Sequence, residues 1–343
     1  MLNSFFGKGL NFNMVEIAKK WKIFVTDSDS ESVDIETEKA KEINASVIRV
    51  NNCTTEEEVV EYGSSCDALI VDYAPITERV INNLKNCKVI VRCGIGLDNI
   101  DISAATRRGI YIVNLSTFCI DEVSTHAVAL TLALVKKLFQ FTQDVQSGFW
   151  DFKRRLPIVD LKESKIGVIG FGNIARLFIQ KTKVFGAKHL VHDPYINPKI
   201  IEESGAKPVS FEEILSNSDI ISIHIPLTNE TEYLFGESEF KKMKKTAYII
   251  NTSRGKIINE KALYQALKED WIAGAGLDTL NQEPPLKDNP LFKLDNVIIT
   301  PHCAYYSETA LRNSHAWAIQ AVIDVYKNKM PNNLINKELW HKK

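Results

Sequence analysis

Short apolar runs alternate with longer amphipathic stretches along almost the whole chain, the pattern of parallel α/β structure. Residues 22–26 (KIFVT), 67–71 (DALIV), 88–91 (KVIV) and 110–113 read as buried strands separated by charged, helix-like segments. A long helix is expected over 122–140 (EVSTHAVALTLALVKKLFQ), apolar around much of its circumference and therefore packed on both sides. From 143 to 164 the pattern dissolves into mixed charge, aromatics and Pro157, as a surface excursion would. A fresh series then predicts strands at 165–169, 189–192, 220–224, 248–251, 275–278 and 297–300. The expected division is an N-terminal extension (1–21), a first domain (22–120), a second domain (121–301) and a C-terminal return to the first (302–343).

Length and composition sharpen this picture. The 343 residues suit two domains at about 150 residues each. With 45% hydrophobic and 25% charged residues, the chain is ordinary globular material rather than disordered. Forty-two basic residues against 43 acidic ones leave no electrostatic footprint for nucleic acid or an anionic membrane. The longest aliphatic stretch, 127–135, is too short to span a bilayer. Six scattered cysteines without CxxC or Cys/His spacing imply free thiols and no metal centre. The first thirteen residues lack the basic-then-apolar order of a secretory signal, so a reducing cytoplasm is the expected location.

The strand at 165–169 runs into Gly170-x-Gly172-x-x-Ala175 and then a helix. Gly170 permits the tight turn, Gly172 lets backbone approach a pyrophosphate, and Ala175 keeps the helix close to the sheet. The helix N-terminus, from Asn173 and Ile174, offers unpaired N–H groups to phosphate. Asp193 ends the next strand, 23 positions after Gly170, where a dinucleotide fold places an acid on the adenosine ribose. Its carboxylate would repel a 2′-phosphate and so favour NAD over NADP. The bland alternative is that Asp193 caps the loop before Pro194.

Ligands of open α/β sheets sit at the carboxyl ends of strands. Arg254 (in NTSRG), Glu283 (in DTLNQEP) and His302 (after Pro301) each follow a predicted strand. Each alone has an ordinary explanation as a surface ion pair, a solvated acid or a satisfied loop histidine. Together beside a nicotinamide they form a set for hydride transfer to a 2-oxo acid. The imidazolium donates the proton, the carboxylate stabilises it, and the guanidinium holds the substrate carboxylate.

On these residues, with GIGLDNID (94–101) and HIPLT (224–228), the chain resembles the D-isomer-specific 2-hydroxyacid dehydrogenases over about residues 22–331. The resemblance implies two Rossmann-like, doubly wound parallel-sheet domains, a flavodoxin-like substrate domain and an NAD-binding domain, with an active-site cleft between them. It implies His302 as acid/base, Glu283 as its partner and Arg254 as the substrate anchor. Asp278 would contact the nicotinamide carboxamide, while Ile225, Pro226, Thr228, Thr252 and Ser253 line the cofactor. Gly94, Ile95 and Gly96 would offer backbone to the substrate carboxylate, with Arg92 and Tyr305 at the distal end of the pocket. The segment PHCAYYSE (301–308) is similar to the C-terminal-binding-protein branch, and Arg92 to that branch and to phosphoglycerate dehydrogenases.

Three functions remain open at this level. They are an NAD-dependent D-2-hydroxyacid dehydrogenase, a D-3-phosphoglycerate dehydrogenase of serine synthesis, and an NADH-responsive binding protein of weak activity. The expected partners are a small 2-hydroxy or 2-oxo acid and a second copy in a homodimer.

Overall fold

In the computed structural model, residues 20–341 are described except 31 and 51. The expected extension at 1–21 therefore lies, but for its last two residues, outside the described residues. The Cα framework separates into two units. One comprises the described residues through Cys93, then Asn99–Asn114 and the chain from His315 onward; the other comprises Gly94–Asp98 and Leu115–Ser314.

The first unit holds a five-stranded parallel sheet of β1 (Lys22–Val25), β2 (Ser46–Arg49), β3 (Ala68–Val71), β4 (Val89–Arg92) and β5 (Tyr111–Asn114). Its order is β2-β1-β3-β4-β5, the flavodoxin-like winding with a switch point between β1 and β3. The central runs IFV, ALIV and VIV are buried, as continuous apolar strands covered on both faces must be. β2 escaped the sequence reading because SVIR is a partly exposed edge strand with only two aliphatic residues. Helix starts follow side-chain chemistry: Thr55 and Glu58 form a capping box, and Asp101 accepts from the Ala104 N–H.

The second unit holds β6 (Lys165–Ile169), β7 (Lys188–His192), β8 (Lys207–Pro208), β9 (Ile220–Ile223), β10 (Tyr248–Asn251), β11 (Gly274–Leu277) and β12 (Val297–Ile299). All pair in parallel in the order β12-β11-β10-β9-β6-β7-β8. The chain winds outward from β6, then returns to place β9 on its other side. That reversal opens a crevice beyond the carboxyl ends of β6 and β9, where such sheets bind ligands. On one face Leu130, Leu134, Phe171, Phe178 and Ile250 pack together; on the other lie Phe235, Phe240, Ile249 and Leu277.

The helix expected over 122–140 is two helices, Ile120–Val135 and Leu138–Gln146. Lys137 between them adopts a left-handed backbone (φ 51°), which ends the first helix. The irregular stretch accordingly begins later, after Ser147, and exposes Phe149, Trp150 and Phe152. Arg155 pins it through two bonds to Asp144 and one to Asp295.

His189 on β7 is buried, and its Nε2 meets Thr182 Oγ1 at 2.8 Å. Burial, with the Lys183 charge adding to it, lowers its pKa from 6.5 to about 4. The unfolded chain thus takes up a proton below pH 6.5 that the native chain refuses. Stability from the neutral ring is full above that pH and is lost as pH falls toward 4. Wild type should lose about 2 kcal/mol more than His189→Gln between pH 7 and pH 5, measured by urea denaturation of both proteins at each pH.

Candidate active site

β6 delivers its last residue to Gly170, whose φ of +89° and tight surroundings require glycine. A Cβ there would stand 2.6 Å from the His224 carbonyl oxygen and 2.7 Å from Ile225 Cγ2. At Gly172 a Cβ would meet nothing within 4 Å, so the space above the turn is open where a phosphate needs it. Gly172 caps the helix Asn173–Lys183 without a side chain, leaving the first-turn N–H groups of Asn173 and Ile174 available. Ala175 is fully buried against the sheet.

Asp193 follows β7 and serves the loop as well. Its Oδ2 accepts from the Phe171 N–H at 2.8 Å and its Oδ1 from the Tyr195 N–H at 2.9 Å. The carboxylate is thereby tied to the glycine turn, each oxygen keeping a lone pair for a hydroxyl. Ile225, Pro226 and Thr228 form the turn after β9. Thr231 Oγ1 pins it, donating to Pro226 O at 2.7 Å and accepting from the Thr228 N–H at 2.7 Å. His224 bonds Ser222 Oγ through Nε2 at 2.8 Å. Its buried Nδ1 has no partner among the described residues, and desolvation lowers the ring's pKa to about 3.

β10 ends in a self-bonded loop. Asn251 Nδ2 donates to Arg254 O at 2.8 Å, and its Oδ1 accepts from the Ser253 N–H at 3.0 Å. Ser253 Oγ donates to Ile223 O on the neighbouring strand at 2.9 Å. Thr252 Oγ1 is buried and has no partner among the described residues, in a loop otherwise well bonded. Arg254 donates through Nε to Asp98 Oδ2 at 2.7 Å. Gly96 lies directly against the guanidinium, since a Cβ there would stand 1.7 Å from Nη2. Gly94, Ile95 and Gly96 thus pack with the second unit, whereas Arg92 belongs to the first, 3.7 Å from Asp72.

β11 ends at Asp278, 1% exposed, whose carboxylate holds the next loop. Oδ1 accepts from Thr300 Oγ1 (2.6 Å) and the Cys303 N–H (3.0 Å), and Oδ2 from the Ala304 N–H (2.9 Å). The backbone carbonyl of Asp278 accepts from the His302 N–H at 2.8 Å. His302 sits in the left-handed region (φ 52°), a conformation that residues outside glycine adopt under tertiary control. Its Nδ1 lies 2.6 Å from Glu283 Oε2, with both side chains about one-third exposed.

Glu283 Oε1 accepts from the Leu280 N–H at 2.8 Å. Burial pushes this carboxyl upward. The hydrogen bond and charge of His302, the Leu280 N–H and the Arg254 charge outweigh it, and the net shift is downward. Tyr305 stands edge-on to the His302 ring, centroids 6.5 Å apart, and beside Phe118. Cys303 is pushed up by burial and by Asp278, which makes it a poor thiolate.

Within the second unit the structure brings together the glycine turn, Asp193, the loops of Arg254, Asp278 and Glu283, and His302 with Tyr305. Sequence reasoning missed Asp98, the partner of Arg254. Its signal was an acid two positions after Gly96 in GIGLDN. It also missed His126 in the helix Ile120–Val135, whose Nε2 reaches Thr300 Oγ1 at 2.9 Å. Nothing along the chain marks that histidine as different from a core residue. The residues fit a dinucleotide: an open glycine turn, unpaired helix N–H groups and a buried orphan hydroxyl.

Residues 128–304 match the family described as the D-isomer specific 2-hydroxyacid dehydrogenase, NAD binding domain. A glyoxylate reductase of Korarchaeum cryptofilum is 35% identical over 285 residues, covering 82% of this chain and 86% of that protein. A D-3-phosphoglycerate dehydrogenase of Archaeoglobus fulgidus is 36% identical, but the chain spans only 56% of its length. The structure of Aquifex aeolicus D-lactate dehydrogenase with NAD and lactic acid superposes with a TM-score of 0.83. That match has 27% identity and covers 92% of this chain and 98% of that one.

Gly255 has no such open space: a Cβ would lie 2.0 Å from the Leu280 carbonyl carbon. Gly255→Ala should therefore destabilise by about 3 kcal/mol or more, because backbone cannot yield. Gly96→Ala meets side chains rather than backbone and should cost less than Gly255→Ala, although the guanidinium must leave its bond to Asp98. Urea denaturation of the two variants checks the contrast.

Proposed function

The chain belongs to the D-isomer specific 2-hydroxyacid dehydrogenase family of NAD-dependent oxidoreductases, and on that premise we propose that it reduces a small 2-oxo acid, such as glyoxylate, to the 2-hydroxy acid with NADH. The His302–Glu283 pair at 2.6 Å, beside a loop that presents Arg254, is the observation that carries this reading. NADH supplies the hydride when bound. His302 keeps Nδ1 on Glu283, which leaves Nε2 to hand a proton to the carbonyl oxygen. Glu283, held ionised by the His302 and Leu280 N–H hydrogen bonds, orients the ring. Arg254, oriented by Asp98, holds the substrate carboxylate and polarises the carbonyl.

The same reading gives the nicotinamide carboxamide to Asp278 and the phosphates to Gly170, Gly172, Asn173 and Ile174. Asp193 selects NAD by offering lone pairs to ribose hydroxyls, and Ile225, Pro226, Thr228, Thr252 and Ser253 line the cofactor. The reading also gives NAD binding to residues 121–301 and the substrate to 22–120 with 302–343, bounds that differ from the two Cα units at 94–98, 115–120 and 302–314. Substrate contacts fall to the backbone of Gly94, Ile95 and Gly96 and to Tyr305.

A phosphorylated substrate fits less well. Arg92, the side chain expected to greet a distal anion, already stands beside Asp72. Burial pushes that acid up to about 7 against the pull of Arg92, so above that pH the carboxylate's charge offsets that of the guanidinium beside it. The match to 86% of the length of the Korarchaeum glyoxylate reductase, against 56% of the Archaeoglobus phosphoglycerate dehydrogenase, supports the same reading. A pure binding role would not require the His302–Glu283 pair. Association as a homodimer belongs to the proposal, supported by exposed Leu138, Phe139, Val145, Phe149, Trp150 (90% exposed) and Phe152 within one short stretch.

NADH consumption should be seen with glyoxylate, pyruvate or hydroxypyruvate; a protein silent to all three would refute the activity. His302→Gln should lower kcat by about 10²–10⁴-fold while NADH affinity, read from its fluorescence, stays unchanged. Asp193→Ala should raise the ratio of NADPH to NADH turnover, and an unchanged ratio would remove its selecting role. Sedimentation should give twice the chain mass, and Trp150→Asp should shift it toward one.

A further inference from the structure

We propose that the second unit carries a binding site for a zinc-like transition metal, formed by His126, Asp278 and Cys303, which when filled disables the loop of His302. The site lies beneath that loop. The three residues are distant in sequence, on the helix Ile120–Val135, after β11 and after β12, which is why no motif betrays them. One donor atom from each lies within 4.8 Å of the other two. His126 Nε2 is 3.6 Å from Asp278 Oδ1, and Cys303 Sγ is 3.8 Å from the same oxygen.

Zinc bonds of about 2.0–2.3 Å in a tetrahedron require donors about 3.3–3.7 Å apart, so two of the three edges nearly fit as they stand. The donor set also chooses the ion. Thiolate with imidazole favours zinc, cobalt or cadmium over magnesium or calcium, which prefer oxygen. Asp278 brings its own outer support, the N–H groups of Cys303 and Ala304, which orient its carboxylate as metal sites require. The fourth position falls to water, once the Thr300 hydroxyl, 2.9 Å from His126 Nε2 and 2.6 Å from Asp278 Oδ1, turns aside.

On binding, the Cys303 S–H proton leaves to solvent as the sulfur–metal bond forms, and the His126 Nε2 proton, which Thr300 Oγ1 accepts while donating to Asp278, passes through solvent to Nδ1, with no change of oxidation state. Thr300 must give up its bond to Asp278. Asp278 is the group that holds residues 302–304, so a metal pulling on its Oδ1 shifts the His302 loop. Inhibition rests on the dehydrogenase reading above, but binding does not, and the two are read separately.

Cobalt(II) added to chelator-treated full-length protein should give a thiolate-to-metal absorption in the near ultraviolet that saturates at one equivalent. Cys303→Ser, which keeps the other five cysteines, should abolish that band, and His126→Gln should weaken binding about tenfold or more. Absence of the band in wild type, or its survival in Cys303→Ser, overturns the site. With turnover established, zinc should abolish glyoxylate reduction by wild type, reversibly by chelator, and leave Cys303→Ser largely active. Equal inhibition of both would place the inhibitory ion elsewhere and overturn the regulatory half.

Discussion

The carboxylate of Asp278 is the constraint on which the reactive end of the second sheet depends. It is almost wholly buried and accepts from two successive backbone N–H groups and one hydroxyl of the following strand's loop. Its own carbonyl takes the His302 N–H. Four bonds from one residue thus fix a turn that includes a left-handed histidine. Buried polar groups of this kind are stabilising only when every member is satisfied, and here the satisfaction is achieved by the loop that carries the imidazole. Structure and chemistry share the same bonds.

Around this clamp the other groups are arranged by strand order. Parallel strands all end on one side, so the loops after β6, β9, β10, β11 and β12 are neighbours whatever their distance along the chain. Arg254 and Glu283 follow adjacent strands, and His302 follows the next. The glycine turn follows β6, which lies beside β9 at the reversal of winding. An imidazole, the carboxylate it pairs with and a guanidinium are therefore delivered to one edge by topology, and short loops do the fine positioning.

Much of this was legible in the chain itself. Buried parallel strands are uninterrupted aliphatic runs, and those at 165–169 and 248–251 were read to the residue. The strands that escaped, β2 and β8, are edges with few apolar residues, where burial leaves little imprint on sequence. The helix break at Lys137 escaped because a lysine in the left-handed region carries no mark comparable to glycine or proline. That Arg254, Glu283 and His302 would share one end of the sheet was legible because each follows a strand, and the structure sets His302 against Glu283. Asp98 and His126 were not, since their importance arises from a guanidinium 156 residues away and a hydroxyl 174 residues away.

The absent side chain of Gly255 has a mechanical meaning. The backbone of Leu280 and Asn281 rests on it with no gap, and that segment supplies the N–H that steadies Glu283. The peptide that presents the guanidinium and the peptide that presents the acid are pressed into a single stiff plate. Neither can drift without carrying the other, so the spacing between the positive and negative poles of the pocket is kept by hard-core repulsion, the one force that neither salt nor pH can screen.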